Sequence, residues 1–494
     1  MKNTEKKDIK QKSLKKNVGL NMTKSIMSLI FPLITFPYSS RILGPIYIGK
    51  VNFAHSVVSY FSLLAALGIN VYAIREAAKL RDNKIKLSIF IKEIFTINLI
   101  STVIAYILFG IAIFLIPTLN EYKKLLCICS ASIIFTTIGM DYLYTALEDF
   151  EYITIRSIIF QFISIALLFI FIHTSEDYFK YAAISVIASV GSNLLNFFHA
   201  RHFIDFRIKQ KLNLGKHLKP IFILFAMNAA INIYTVLDST MLGFMKGDEA
   251  VGIYTAATKI NRIITVMITS ISSILLPRLS YYAKNKNNED FLRISNKAFN
   301  FIMLLSIPSA LGLFVLSEPI TLLFSGKEYS SAIQVMKIMN PVIIFISLSN
   351  LMGNQILMSV GKEKKVLFSV VVGSITNFTI NSIFIPIFGV LGAAIGTLCA
   401  EFLVTLIQFI ETRRYFLHKD ILDNTIKVVL SSVIMSILVY KVSTFFNNNL
   451  IKIIIGIPVG IFIYTLLLFI YKNTFFIKFV KETIVQINNK VKKS

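Results

Sequence analysis

Ionisable side chains inside long apolar stretches are where this chain can do chemistry. Each costs several kcal/mol to hold in a lipid interior and is a functional candidate by default. Few qualify. Lys259 and Arg262 stand three residues apart in one stretch, hence on one helical face. Arg41 closes an earlier stretch and Lys50 opens the next. Cations gathered away from water suit an anion, since arginine offers phosphate oxygens a planar fork and lysine a point charge. Asp141, Asp238 and Glu401 are carboxylates in similar settings, candidates for ion coupling or for ion pairing. Asp238 or Asp141 would also pair Lys259 and Arg262 if those cations only hold helices together. Lys337 is placed to snorkel to an interface. Asn228 and Asn232 are four apart, with Thr235 and Ser239 continuing their face, and Asn377 and Asn381 repeat that spacing. Such stripes line a wet cavity, or join helices by hydrogen bonds of about 0.6 kcal/mol each.

The elements that must carry these residues follow from composition. Of 494 residues, 55% are apolar and 16% charged, and the mean hydropathy is +0.70. A soluble domain carries about 25% charged residues. Disorder, collagen-like repeats and a disulfide-stapled module are excluded. A membrane helix needs about 20 mainly apolar residues. About fourteen such runs are expected, near 18–38, 49–70, 89–115, 124–146, 153–172, 178–200, 217–243, 251–276, 297–318, 330–359, 366–385, 388–411, 425–446 and 450–471. Runs of this length in lipid are helices, and they exclude a β-barrel, whose strands are about 10 residues of alternating polarity. Pro32, Pro37 and Pro308 fall inside runs and permit bending.

The net charge of +25 sorts by position. Cations crowd alternate connections: the lysines of the first 17 residues, Arg75 to Lys92, Arg201 to Lys219, Arg278 to Lys297, Lys362 to Lys365, Arg413 to Lys427, and the C-terminal tail. Arg156 is grouped with them. The intervening loops near 386–388 and 447–449 have no Lys or Arg. The positive-inside rule then places both termini in the cytoplasm and predicts a multi-pass protein. The charge is topological, and a basic nucleic-acid-binding face on a soluble domain is not expected. The tails can touch anionic lipid heads. Cys127, Cys129 and Cys399 lie in apolar runs without zinc spacing, so no metal is expected.

Two internal matches lie six spans apart. Ser40-Arg41-Ile42-Leu43-Gly44, with Gly49 and Val51 to Ala54 beyond, parallels Ser239-Thr240-Met241-Leu242-Gly243 with Gly252 to Ala256. Leu143 to Leu147 parallels Ile356 to Val360. Both copies begin at an odd span, which predicts a parallel repeat of six plus six helices. The organisation is then a tail 1–17, an N-lobe 18–200, a linker 201–216, a C-lobe 217–411, two further helices in 425–471 and a basic tail 472–494.

Leu43-Gly44-Pro45 with Gly49, the stretch Gly68-Ile69-Asn70 to Arg75-Glu76, and Ile385-Pro386-Ile387-Phe388-Gly389-Val390-Leu391-Gly392-Ala393-Ala394 resemble the polysaccharide-transporter branch of the multidrug/oligosaccharidyl-lipid/polysaccharide exporter superfamily, the Wzx-type flippases. The resemblance covers roughly residues 18–471. It implies an all-α polytopic membrane protein of two six-helix lobes in pseudo-twofold relation plus two C-terminal helices. It further implies alternating access around a central cavity, and a lipid pyrophosphate-linked sugar as substrate, for O-antigen, capsule or similar polysaccharide. Spans 1, 2, 7 and 8 face that cavity in the family, so Arg41, Lys50, Lys259 and Arg262 are the implied headgroup ligands, and Asn228 and Asn232 an implied polar stripe of the cavity. The implied setting is the bacterial cytoplasmic membrane, with membrane lipids and glycan-assembly polymerases as partners. A drug or cation antiporter of the same superfamily remains open through Asp141 and Asp238. A glycan polymerase or ligase would need a large outer loop bearing catalytic groups, and no catalytic residue is expected. No cofactor is expected, and no nucleotide-binding glycine loop is present. Coupling to a proton or sodium gradient would rest on the three carboxylates.

Overall fold

The structure, a computed structural model, describes residues 14–491 except 209, 211, 274, 286 and 417. The expected tail 1–17 therefore lies outside the described residues up to residue 13, as do the last three residues of the tail 472–494. Among the described residues the chain is helical and without strands, as an interior of lipid requires of it. Among the described residues ten helices are long and apolar enough to cross a membrane, or up to twelve if two bent pairs each count as one span.

Two compact units divide the chain at Val236 and Leu237. The division falls inside the expected seventh span. The first unit holds α1 (Leu14–Ala66), α2 (Ile69–Leu80), α3 (Lys84–Leu115), α4 (Lys123–Gly139), α5 (Asp141–Ala146), α6 (Phe150–Phe171), α7 (Tyr178–Val186), α8 (Asn193–Ala200) and the start of α9 (Gly215–Lys246). α1 covers the expected span 18–38 and most of 49–70, and its backbone leaves helical geometry at Gly44, with φ 69° and ψ 174°. Glycine tolerates that conformation without a side-chain clash. The core of the unit packs Tyr72, Ile91, Ile94, Leu143 and Tyr144.

The second unit holds the rest of α9 and α10 (Asp248–Ser273), α11 (Leu276–Lys284), α12 (Asn288–Phe324), α13 (Ala332–Met339), α14 (Val342–Ser349), α15 (Glu363–Phe388), α16 (Val390–Thr412), α17 (His418–Thr444), α18 (Asn449–Ile470) and α19 (Thr474–Val491). α10 lies where an eighth span is expected, but Asp248, Glu249, Lys259 and Arg262 make it less apolar than the other spans. α12, α17 and α18 pack through Leu304, Leu316, Met435, Val439 and Leu468, with the Tyr464 hydroxyl donating to the Leu304 carbonyl at 2.8 Å. Large apolar side chains such as Phe114, Ile107, Ile375 and Phe462 remain exposed, where lipid rather than water is their solvent.

α15 and α16 form a hairpin, turning at Gly389. A Cβ on Gly392 would lie 2.3 Å from the Phe384 carbonyl oxygen and 2.4 Å from its carbon. Backbone cannot yield as a side-chain tip does. Gly392→Ala is expected to cost about 1–3 kcal/mol, read as a lower thermal midpoint of the purified protein, with Asn377 and Asn381 of the same hairpin displaced.

Candidate functional site

The best-built polar site lies in the second unit, around Asp238 of α9. Its carboxylate is 8% exposed. Tyr254 of α10 and Thr397 of α16 donate hydroxyls to Oδ2, each at 2.5 Å. Asn377 and Asn381 of α15 donate side-chain amides to Oδ1, at 3.0 and 2.7 Å. Asn381 also donates to Asn377 Oδ1 at 3.1 Å, and the Tyr254 and Thr397 hydroxyls lie 3.0 Å apart. Four side chains from three helices thus converge on the carboxylate of a fourth. All four ligands are neutral, and Asp238 has no ion pair among the described residues. A buried carboxylate without a cationic partner is costly.

One acceptor in the cluster is left over: Asn381 Oδ1 is buried with no hydrogen-bond partner. Gly396 makes room for it, since a Cβ there would stand 2.1 Å from that oxygen. Glu401, one helical turn beyond Thr397 on α16, is also buried. Hydroxyl, amide and carboxylate oxygens at one point are hard ligands that suit a proton or a small hard cation. Asp238 was legible as an intramembrane carboxylate and the asparagine pair as a stripe. Tyr254 and Thr397 were not legible as their partners.

The two asparagine stripes, alike in spacing, differ in fate. Asn377 and Asn381 join α15 to α9 through Asp238. Asn232 instead donates to the Asn228 carbonyl of its own helix at 3.0 Å, and the Thr235 hydroxyl to the Asn232 carbonyl at 2.9 Å, both at exposed positions.

In the first unit the structure corrects the placement of Arg156. It is not a solvated cation of a connection but 5% exposed. Its Nη2 donates to Asp141 Oδ1 at 2.5 Å, and its Nη1 to Ser192 Oγ and Asn193 Oδ1 at 3.0 Å each. Asn196 donates to the same Asp141 oxygen at 2.8 Å and to the Gly139 carbonyl at 2.6 Å. The network sits where Met140 adopts a left-handed backbone, φ 43°, between α4 and α5. Asp141 therefore pairs with Arg156, not with Lys259 or Arg262. Arg156→Ala is expected to cost about 2–3 kcal/mol, the loss of a charge-assisted buried hydrogen-bond set, seen as a lower thermal midpoint.

A second buried cluster escaped sequence reading. Glu93 of α3, 2% exposed, accepts from Lys216 at 2.8 Å and from the Asn213 backbone at 2.8 Å, and meets His217 Nε2 at 2.9 Å. His217 Nδ1 meets the Tyr72 hydroxyl at 2.8 Å. The end of the segment 201–216 is thereby pinned to α2 and α3.

The expected cations are placed as follows. The Arg41 guanidinium is exposed and donates to the Pro37 carbonyl at 3.1 Å. Lys50 is half-buried, its ammonium 5.3 Å from the Tyr47 ring centre and 5.7 Å from that of Tyr178. Lys259 is half-buried and Arg262 exposed on α10. Lys337 lies over the Phe314 ring at 5.7 Å.

Residues 14–283 match the family of polysaccharide biosynthesis proteins, and residues 224–383 match the MatE family. The chain is 26% identical over 404 residues to a putative O-antigen transporter of Escherichia coli K12, covering 81% of this chain and 97% of that one. It is 24% identical to a probable low-salt glycan biosynthesis flippase of Haloferax volcanii, over 48% of this chain and 51% of that one. A solved structure of the lipid II flippase MurJ, in an inward closed conformation, superposes with a TM-score of 0.73 at 20% identity, covering 94% of this chain and 99% of that one.

Proposed function

This chain belongs to the polysaccharide biosynthesis protein family, and from that premise we propose that it is a flippase. Its cargo is a lipid pyrophosphate-linked oligosaccharide, carried across the bacterial cytoplasmic membrane by alternating access for surface polysaccharide such as O-antigen or capsule. The observation that carries this reading is the likeness to an O-antigen transporter over 97% of that protein's length. The fold of a lipid II flippase over 94% of this chain supports it. Both termini face the cytoplasm in this reading, where the cation-rich connections hold them.

The pyrophosphate is the part of the cargo that lipid rejects most strongly. We assign its recognition to the intramembrane cations Arg41, Lys50, Lys259 and Arg262. The reaction makes and breaks no bond, so these residues act by replacing water around the anion. The driving force is assigned to a proton or sodium ion at Asp238. The buried carboxylate and its four oxygen- and nitrogen-bearing neighbours support that assignment. The Asn377 and Asn381 amides can rotate to present their oxygens to a cation. Asp141 is committed to Arg156, which leaves Asp238 and Glu401 as the titratable groups for coupling. Glycan polymerases are the expected partners for the released cargo.

The test is transport itself. Purified protein in vesicles, given a fluorescent lipid-linked oligosaccharide, is expected to move it between leaflets, faster under an imposed sodium or proton gradient. No movement above protein-free vesicles would overturn the flippase assignment. Equal rates with and without either gradient would overturn coupling alone.

A further inference from the structure

The cytoplasm-facing end assigned to the second unit carries a cavity lined by residues other than those assigned to transport. It has a volume of about 500 Å³ and opens between α11, the first turns of α12 and α19. Its floor is apolar: Leu275, Ile294, Phe301, Phe475 and Phe479, with the Phe301 and Phe479 rings 5.8 Å apart. Its rim is basic, with Arg278, Arg293, Lys297 and Lys478 against the single carboxylate Glu482. Arg293 is held by Asp290 at 2.5 Å. Lys297 reaches Glu482 across from α12 to α19 at 3.5 Å. Arg278 and Lys478 are exposed and make no ion pair among the described residues.

The position is that of a membrane interface. α12 has 37 residues, about 55 Å at 1.5 Å per residue, while the hydrocarbon core is about 30 Å thick. Part of it must lie outside that core, and its charged start, with Glu289, Asp290, Arg293 and Lys297, is the end suited to water. α19 begins four residues after the apolar helix α18 ends at Ile470, and Thr474 at its start bonds Asn424 of α17 at 3.1 Å. Seen along its axis, α19 sets phenylalanines at 475 and 479 toward the cavity and leaves Lys481 exposed. An apolar floor under a cationic rim at this depth matches one class of molecule, an anionic lipid with acyl chains below and phosphate above.

We propose that this cavity binds an anionic phospholipid of the cytoplasmic leaflet. Its phosphate is held by Arg278 and Lys478, and it competes with Glu482 for Lys297. The bound lipid seats α19 against α12 and fixes the C-terminal segment to the membrane surface.

The test uses the purified full chain with phosphatidylglycerol or phosphatidylcholine, read by native mass spectrometry as lipid retained. Wild type is expected to retain phosphatidylglycerol in preference. The Arg278→Gln/Lys478→Gln variant is expected to lose about tenfold or more of that preference, since each cation near a lipid surface is worth roughly a kcal/mol. Glu482→Gln is expected to strengthen retention, a gain that misfolding cannot produce. Equal retention of the two lipids by wild type would overturn the proposal, as would undiminished retention by the double variant. Displacement of the lipid by equimolar inorganic phosphate would overturn the lipid assignment in favour of a free anion. Displacement by far less undecaprenyl phosphate would overturn it in favour of the cargo's own carrier.

Discussion

Asp238→Asn is expected to lower glycan export at least tenfold and to remove its dependence on an imposed ion gradient. The carboxylate accepts from Tyr254 and Thr397 on one oxygen and from Asn377 and Asn381 on the other. An asparagine keeps the volume but offers one acceptor oxygen, and its amide faces two donors. Hydrogen bonds to a charged group are worth about 1.5–3 kcal/mol each, so the variant loses two of them as well as the charge. A proton or sodium ion then has no anion to neutralise. The decisive control is the thermal midpoint measured with and without sodium. A ligand that binds only the folded protein raises stability as its concentration rises above its dissociation constant. Wild type is expected to gain stability in sodium if sodium is the ion, and Asp238→Asn to gain none. Gradient-dependent export at the wild-type rate in a stably inserted Asp238→Asn protein would remove Asp238 from the coupling mechanism.

The reason this residue stood out in the sequence while its ligands did not is physical. A carboxylate inside an apolar run is legible because lipid makes it expensive. Its partners come from α10, α15 and α16, between 16 and 159 residues along the chain, and a single sequence holds no record of which faces meet. The asparagine stripes show the same limit. The pairs 228/232 and 377/381 are identical in spacing, yet one bonds within its own helix and the other crosses to Asp238. Arg156 was read as a loop cation because it stands at the edge of an apolar run. The opposite charge of Asp141, within the expected run 124–146, is the signal for its partner. The helices themselves were legible almost throughout, since a lipid interior forces long apolar runs to satisfy their own backbone. The departures are the bends, at Gly44 within α1, at Met140 between α4 and α5, and in the helix pairs at the expected seventh and tenth spans, so that among the described residues ten to twelve spans stand against the fourteen expected. The His217 and Glu93 pair was hidden for a related reason: the two residues are 124 positions apart, and neither lies mid-span.

Lys259→Ala/Arg262→Ala is expected to abolish export, by roughly a hundredfold or more, while the protein still reaches the membrane. Three residues apart on α10, the two side chains share a face, and Arg262 is exposed with Lys259 half-buried beside it. Arg262 at an exposed position contributes little to folding, where surface changes fall within about 0.5 kcal/mol. A pyrophosphate leaving water must exchange its hydration for donors of equal strength. Two charge-assisted contacts at about 1.5–3 kcal/mol each account for a hundredfold loss when both are removed. A second variant, Lys259→Met/Arg262→Met, retains most of the aliphatic volume and removes only the charge. It is expected to fail equally, which separates charge from packing. Lys259→Arg/Arg262→Lys keeps both charges with altered geometry and is expected to recover export in part, since a fork and a point charge are not interchangeable at a phosphate. The readout is surface glycan in a strain lacking its own flippase, normalised to the amount of protein in the membrane. Export at the wild-type level by the methionine variant would show that neither cation handles the pyrophosphate, and would move headgroup recognition to Arg41 and Lys50.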